Sequence, residues 1–142
     1  MLLTKGEFVT EADIGDSSYP GSVGVMVDLL LSLGTLIDPK YRHFAFKTLE
    51  YYSQKLAKTP IYFPYMLDQA FRYLKEDRIV KAKSGLLQEH SALLSKITYP
   101  YIKRYATNES DGFMVCGLQS CFANCRDAEQ IDDLIRNSFQ GQ

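Results

Sequence analysis

Three cysteines lie within the ten residues from Cys116 to Cys125, and their thiols are the groups that first suggest chemistry. Four residues separate Cys116 from Cys121, and three separate Cys121 from Cys125. Thioredoxin-type chemistry uses Cys-x-x-Cys at a helix start, which the chain does not contain. Two interpretations stay open: a redox pair formed by Cys116 and Cys121, and buried, inert cysteines that close a small sheet. The second is favoured.

A metal site would need more ligands than this segment offers. A structural zinc site takes four ligands, and the two histidines, His43 and His90, lie far upstream of the cysteines. The cysteine spacing also differs from the common iron–sulfur patterns. We therefore predict neither a metal nor a cofactor. His90 falls on the apolar face of its predicted helix without a conspicuous acidic or nucleophilic partner, which indicates a core histidine.

The acidic side chain best placed for function is Asp16, in the polar loop of residues 16–22. Its alternative role is helix capping, because this loop precedes a predicted helix and carboxylates accept hydrogen bonds from helix N-terminal amides. The chain has no glycine-rich phosphate loop and no Gly-x-Ser-x-Gly elbow. No self-contained catalytic constellation emerges, and enzymatic activity stays undecided.

Composition and charge narrow the possible partners and compartment. The 142 residues, of which 46% are apolar, suit one ordinary domain with its own core. Sixteen basic residues stand against 17 acidic ones, and no basic stretch is interleaved with aromatics, which argues against nucleic-acid binding. The longest apolar run, residues 23–31, is too short to span a membrane. An odd cysteine count and the lack of a signal-peptide pattern favour the cytoplasm.

Apolar periodicity predicts three consecutive helices in the first half of the chain. They cover residues 22–37, residues 39–58 and a segment that begins near Pro64, and short connections make them antiparallel hairpins. Asp28 interrupts the first helix as either a rim residue or a buried carboxylate with a partner. Residues 5–14 are expected to be a short strand or an extended arm. The predicted inner faces of the second and third helices are Tyr41, Phe44, Ala45, Leu49, Tyr52 and Leu56, then Phe63, Met66, Leu67, Ala70, Phe71 and Leu74.

In the second half of the chain the apolar periodicity changes, and the pattern predicts a small sheet with two further helices. Strands are expected at residues 79–82, 101–106 and 113–116, with helices over residues 84–97 and from Asp127 onward. The predicted fold is therefore α+β and mostly helical, with about three strands. We expect a single domain, 1–142, with a helical-hairpin portion at 1–76 and a small α/β portion at 77–142 that carries the cysteine tail.

Three motifs together resemble one protein family. They are Asp16-x3-Pro20-Gly21-Ser22 before the long apolar helix, Pro64-Tyr65-Met66-Leu67-x2-Ala70, and Met114-Val115-Cys116-x4-Cys121. This pattern is similar to the C-terminal region of the YyaL-like, or spermatogenesis-associated, thioredoxin-domain proteins. Such proteins join an N-terminal thioredoxin-like domain to an α/α toroid similar to six-hairpin glycosidases and sugar epimerases. The resemblance implies a partial toroid here, without the thioredoxin-like domain.

The same resemblance implies a function and a set of positions. Asp16, Ser22, Cys116 and Cys121 are the matched residues. The implied function is a structural or interaction domain that forms one wall of a carbohydrate-related cleft, and the alternative is a thiol-redox role through Cys116 and Cys121. Because a partial toroid would leave apolar faces uncovered, we expect self-association or contact with the remainder of a larger protein. A sugar ligand would bind near Tyr62, Tyr65 or the Asp16 loop.

Overall fold

The computed structural model describes residues 14–139, which form two compact units divided between Lys75 and Glu76. The first unit is helical, and the second combines a four-stranded mixed sheet with short helices. The predicted class, a mostly helical α+β fold, is confirmed. The strand or arm expected at residues 5–14 lies, apart from its last residue, outside the described residues.

Three helices build the first unit, close to where their apolar periodicity placed them. They are α1 (Ser22–Leu36), α2 (Lys40–Lys58) and α3 (Pro64–Lys75), with a 3-10 turn at Pro60–Tyr62. The carboxylate of Asp38 accepts the Lys40 N–H at 2.9 Å and so caps α2. Only residues 37–39 connect α1 to α2, and the two helices pack against each other as a hairpin.

The core of the first unit lies between the facing sides of these helices. Val27 and Leu31 of α1 are fully buried against Ala45 of α2 and Met66 of α3. Gly34 allows a close approach of α1 to α2, because a Cβ atom there would lie 2.7 Å from the Arg42 amide nitrogen. The absence of a side chain at this position therefore brings the end of α1 against the start of α2.

The predicted inner face of α3 is wrong at two positions. Phe71 and Leu74 are 58% and 75% exposed, whereas the polar residues Gln69 and Arg72 are buried. The side of α3 that carries Arg72 faces inward because Arg72 forms an ion pair with Asp28 of α1. Phe44, expected on the inner face of α2, is also exposed.

The second unit is built on a sheet of strand order β2-β1-β3-β4. Its strands are β1 (Arg78–Ala82), β2 (Ile102–Ala106), β3 (Phe113–Cys116) and β4 (Cys121–Cys125). The first two strands are parallel, and β3 pairs antiparallel with both β1 and β4. The sequence predicted the first three strands, whereas β4 is an additional edge strand.

The helix predicted over residues 84–97 is wrong as a single element. It is divided into α4 (Ser84–Glu89) and α5 (Ser91–Leu94), with His90 between them at φ −96° and ψ 15°, outside helical geometry. These two helices lie in the crossover between the parallel strands β1 and β2.

The last helix begins after a capped 3-10 turn. Asp127 accepts the Glu129 N–H at 3.0 Å, which starts the turn Ala128–Gln130 and then α6 (Ile131–Asn137). Ile131 and Ile135 of α6 are fully buried with Val80, Phe113 and Val115 of the sheet. The helix therefore covers one face of the sheet and completes the core of the second unit.

Candidate functional site

Asp16 joins the starts of two helices through one carboxylate. Its Oδ1 accepts the N–H of Gly21, just ahead of α1, at 2.7 Å, and its Oδ2 accepts the N–H of Tyr65 in the first turn of α3, also at 2.7 Å. Amides at the N-terminus of a helix lack partners within their own helix, so this carboxylate satisfies one amide at the start of α1 and one at the start of α3. Its backbone N–H donates to the Tyr62 carbonyl at 3.0 Å. The geometry is that of a double helix cap.

Ser22, the other predicted residue of this loop, opens α1 beside a surface concavity. The concavity has a volume of about 590 Å³ and lies between α1 and α2. Its described lining residues include Ser22, Lys47, Tyr51 and Tyr52. The Asp16–Gly21 hydrogen bond brings Asp16 and Ser22 into one short turn. Tyr62, named for sugar binding, is exposed on the 3-10 turn.

A partly buried polar cluster links α1 to α3 and was not predicted as a unit. Asp28 of α1 binds the Arg72 guanidinium through Oδ1 and accepts the Tyr65 hydroxyl at 2.7 Å through Oδ2. Arg72 is only 4% exposed and also donates to the Ser32 hydroxyl at 3.1 Å. The hydrogen bond to Asp28, followed by burial, raises the pKa of Tyr65 to about 12. Asp28 combines parts of both interpretations: its side chain is 37% exposed, as at a rim, and its carboxylate has partners on α3.

Cys116 and Cys121 are joined by a disulfide in the second unit. Cys116 is buried at the end of β3, whereas Cys121 is exposed at the start of β4, and the two are register partners beside a bulge. Between them, the Gly117 N–H donates to the Ser120 carbonyl at 2.9 Å. A disulfide in which one of the two cysteines is exposed can undergo reversible two-electron reduction.

Cys125 is a free, half-buried thiol at the end of β4. Burial, together with the negative charge of Asp127, raises the pKa of this thiol. A raised pKa lowers the thiolate fraction at neutral pH and makes the thiol a poor nucleophile. Cys125 therefore has the character of an inert packing residue.

His90 contributes to packing in the second unit. Its ring meets the Phe113 ring edge-on at a centroid distance of 5.5 Å. Among residues 14–139, no three His, Cys, Asp or Glu side chains gather closely enough to hold a metal ion. Within the same residues, no helix has the length and apolar character needed to cross a bilayer.

An apolar groove of about 360 Å³ runs between α2 and α3. Leu74, which is largely exposed, contributes to one wall. The other apolar residues that line the groove are Phe46, Leu49, Leu56, Ala57, Leu67, Ala70 and Tyr73. The groove exposes apolar side chains to solvent in a unit whose core α1 already fills.

No family model, curated protein or solved structure matches this chain. The likeness of its three motifs to the YyaL-like proteins therefore stays a prediction. The Asp28–Arg72 cluster could have been anticipated only from α3, where Gln69 and Arg72 fall three residues apart on one edge. The fourth strand carried no apolar alternation that would have marked it.

Proposed function

We propose that this chain is a non-catalytic structural and interaction domain from the C-terminal region of a YyaL-like thioredoxin-domain protein. The observation that carries the proposal is the inverted burial of α3, which buries Gln69 and Arg72 while exposing Phe71 and Leu74. Exposed apolar surface that borders a groove is typical of an interface. In the proposed setting, a neighbouring helix of the larger protein covers it.

The occupant of the groove is an amphipathic helix. The groove is bordered by two helices, and its described walls are almost entirely hydrocarbon, so a third helix with an apolar edge matches both its shape and its chemistry. In an α/α toroid that helix would come from the adjacent hairpin. In the isolated chain, a second copy is the available source.

Self-association tests this proposal directly. We expect the chain to dimerise at high micromolar concentration in light scattering and sedimentation velocity, and Leu74→Glu to shift it to monomer, because a charge would be buried in the groove. Ile37→Glu is the matched control, since Ile37 is 72% exposed at the end of α1 and lies outside the described groove residues. A strictly monomeric wild type would contradict self-association.

The family assignment has its own test. The coding sequence directly upstream of Met1 is expected to contain a thioredoxin-like reading frame continuous with this chain. If the upstream sequence encodes no such domain in frame, the proposed origin is wrong, whatever the oligomeric state.

The carbohydrate-related part of the proposal concerns the concavity between α1 and α2. Its tyrosines, Tyr51 and Tyr52, offer ring faces of the kind that pack against sugars, and Ser22 and Lys47 supply polar groups. A sugar that binds there should raise the melting temperature and protect the adjacent amides of α1 from exchange. No thermal shift across a panel of mono- and oligosaccharides would count against this part.

The cystine supports a second candidate, a thiol-redox role. Reduction of the Cys116–Cys121 bond by an external dithiol would consume two electrons and two protons and yield two thiols. Thiol titration is expected to find one thiol, Cys125, before reduction and three after it, with full return on reoxidation. If Cys116 and Cys121 titrate as stable thiols under mild oxidant, the redox role is excluded.

A further inference from the structure

A buried arginine at the start of the interior strand β1 lacks a close acceptor for part of its guanidinium group. Arg78 begins β1, and its side chain is only 8% exposed. The carboxylate of Glu76 lies 3.9 Å from Nη1, beyond hydrogen-bonding distance. Among residues 14–139, nothing accepts a hydrogen bond from Nε. Buried donors are rarely left unsatisfied, so this one requires an explanation.

Aromatic rings hold the guanidinium in place without satisfying its hydrogen atoms. The Arg78 Cζ atom lies 4.4 Å from the ring centroid of Phe139 and 5.9 Å from those of Phe122 and Tyr99. Stacking of this kind offsets the charge through the ring faces. It provides no acceptor in the guanidinium plane, where a carboxylate or a phosphate makes its paired hydrogen bonds.

A cavity of about 510 Å³ opens beside Arg78. Its walls include Glu76, Phe122, Ser138 and the 117–120 turn that the cystine closes. A Cβ atom at Gly117 would lie 3.9 Å from Nη1, so the glycine leaves the space over this nitrogen open. The side chains of Gln119, Ser120 and Ser138 add polar groups around that space.

We propose that this cavity binds the oxyanion of a small molecule, a carboxylate or a phosphate, with the Arg78 guanidinium as its anchor. The volume falls within the range of small-molecule sites. The donors of arginine suit a two-oxygen acceptor, and the space beside Gly117 gives such an acceptor access to Nη1. Glu76 is the competing charge: it is half-exposed, lines the same cavity, and its carboxylate lies 3.9 Å from Nη1.

The site can be tested by NMR on the full chain labelled with nitrogen-15. The Arg78 Nε–Hε signal is assigned by its loss in Arg78→Lys. Sodium phosphate and sodium acetate are titrated separately, each against sodium chloride at equal ionic strength. We expect a saturable shift of this signal with at least one oxyanion and none with chloride. Whether phosphate or acetate binds more tightly identifies the ligand class.

Three variants separate an anchored site from diffuse attraction of anions. Arg78→Lys keeps the charge but loses the donor fork, so affinity followed at the Gly117 and Phe122 amides should fall about tenfold or more. Arg104→Lys, at an exposed arginine of β2, should leave affinity unchanged. Glu76→Gln should strengthen binding, because it removes the competing carboxylate.

Two results would overturn the proposal. One is an Arg78 Nε signal that neither oxyanion moves in the wild type. The other is binding that is equal in the wild type, Arg78→Lys and Arg104→Lys, which would mean that the anions respond only to general charge. If Arg78→Lys fails to fold, Glu76→Gln decides: unchanged or weaker binding in that variant contradicts an oxyanion seated at Arg78.

Discussion

Asp16 shows how one side chain can fix the starts of two helices that are far apart in sequence. Its two carboxylate oxygens accept N–H groups separated by 44 residues, those of Gly21 and Tyr65. A cap of this kind stabilises a protein by about 1 kcal/mol per helix end. The residue therefore ties the loop before α1 to the first turn of α3.

Replacement of Asp16 should reveal this double role. We expect Asp16→Ala to lower the free energy of unfolding by about 2 kcal/mol, as two helix ends lose their acceptor. Asp38→Ala is the matched control: Asp38 caps α2 alone from an exposed position, so its loss should cost less than that of Asp16. Urea unfolding followed by circular dichroism measures both. Equal losses would show that Asp16 supports only one helix.

Tyr65 gives the first unit a pH-dependent contribution at alkaline pH. Its pKa rises from 10.0 to about 12 because the hydroxyl donates to Asp28. A folded-state pKa above the unfolded value means that the contribution is fully present below pH 10.0 and is lost as pH rises toward 12. Deprotonation would remove the donor and place a second negative charge beside Asp28.

The matching experiment compares Tyr65→Phe with the wild type across this range. Below pH 10.0 the variant should be less stable by about 1 kcal/mol, and the difference should shrink as pH approaches 12. Tyr51→Phe, at a tyrosine that is 80% exposed, should follow the wild type throughout. A difference between Tyr65→Phe and wild type that stays constant with pH would contradict the role of the hydroxyl.

Residue types alone predicted some of these roles. The sequence placed Asp16 in a capping loop and limited Asp28 to two interpretations. It did not reveal Arg72 as the partner, because the two residues are 44 positions apart and are brought together only by the packing of α3 against α1. Nor did it mark Arg78, whose guanidinium lies among three aromatic rings from distant parts of the chain.

Among the elements, the α1–α2 hairpin depends on one close backbone approach. We expect Gly34→Ala to destabilise the chain by about 1–3 kcal/mol, because its Cβ would lie 2.7 Å from the Arg42 nitrogen and the helices would have to move apart. Gly85→Ala in α4 is the control, since a Cβ there meets nothing within 4 Å and alanine is the better helix former. Thermal unfolding should rank Gly85→Ala at or above the wild type and Gly34→Ala below it. The reverse order would contradict the close approach.

The elements that could be predicted are those with a strong local pattern. Three long amphipathic helices appear where periodicity put them, and the buried β3 appears as an apolar run. The helix expected over residues 84–97 breaks at His90, where the side chain packs on Phe113 of β3. The edge strand β4 is mostly exposed and depends on pairing with β3, so its sequence shows no apolar alternation.

At the scale of the whole molecule, each unit has its own hydrophobic core. One core is centred on Val27, Leu31 and Met66, and the other on Val80, Phe113 and Ile131. The cystine lies in the second unit, where it links β3 to β4. A change at the cystine should therefore alter the stability of the second unit and leave the first unchanged.

Hydrogen exchange in the presence and absence of reductant tests this division. The cystine closes a loop with a sequence separation of 5, for which loop-closure entropy predicts about 2 kcal/mol of stabilisation. Reduction should therefore speed exchange in β3 and β4 by up to about thirtyfold where exchange proceeds through unfolding of the sheet. Amides of α1 and α2 should keep their rates.

The control is Cys121→Ser, which cannot form the bond. Reductant should not change exchange rates in this variant, so an effect of reductant that persists there would come from another source. Faster exchange in α1 and α2 on reduction would mean that the two units unfold together, because the loss of one small loop would then reach a core that contains neither cysteine.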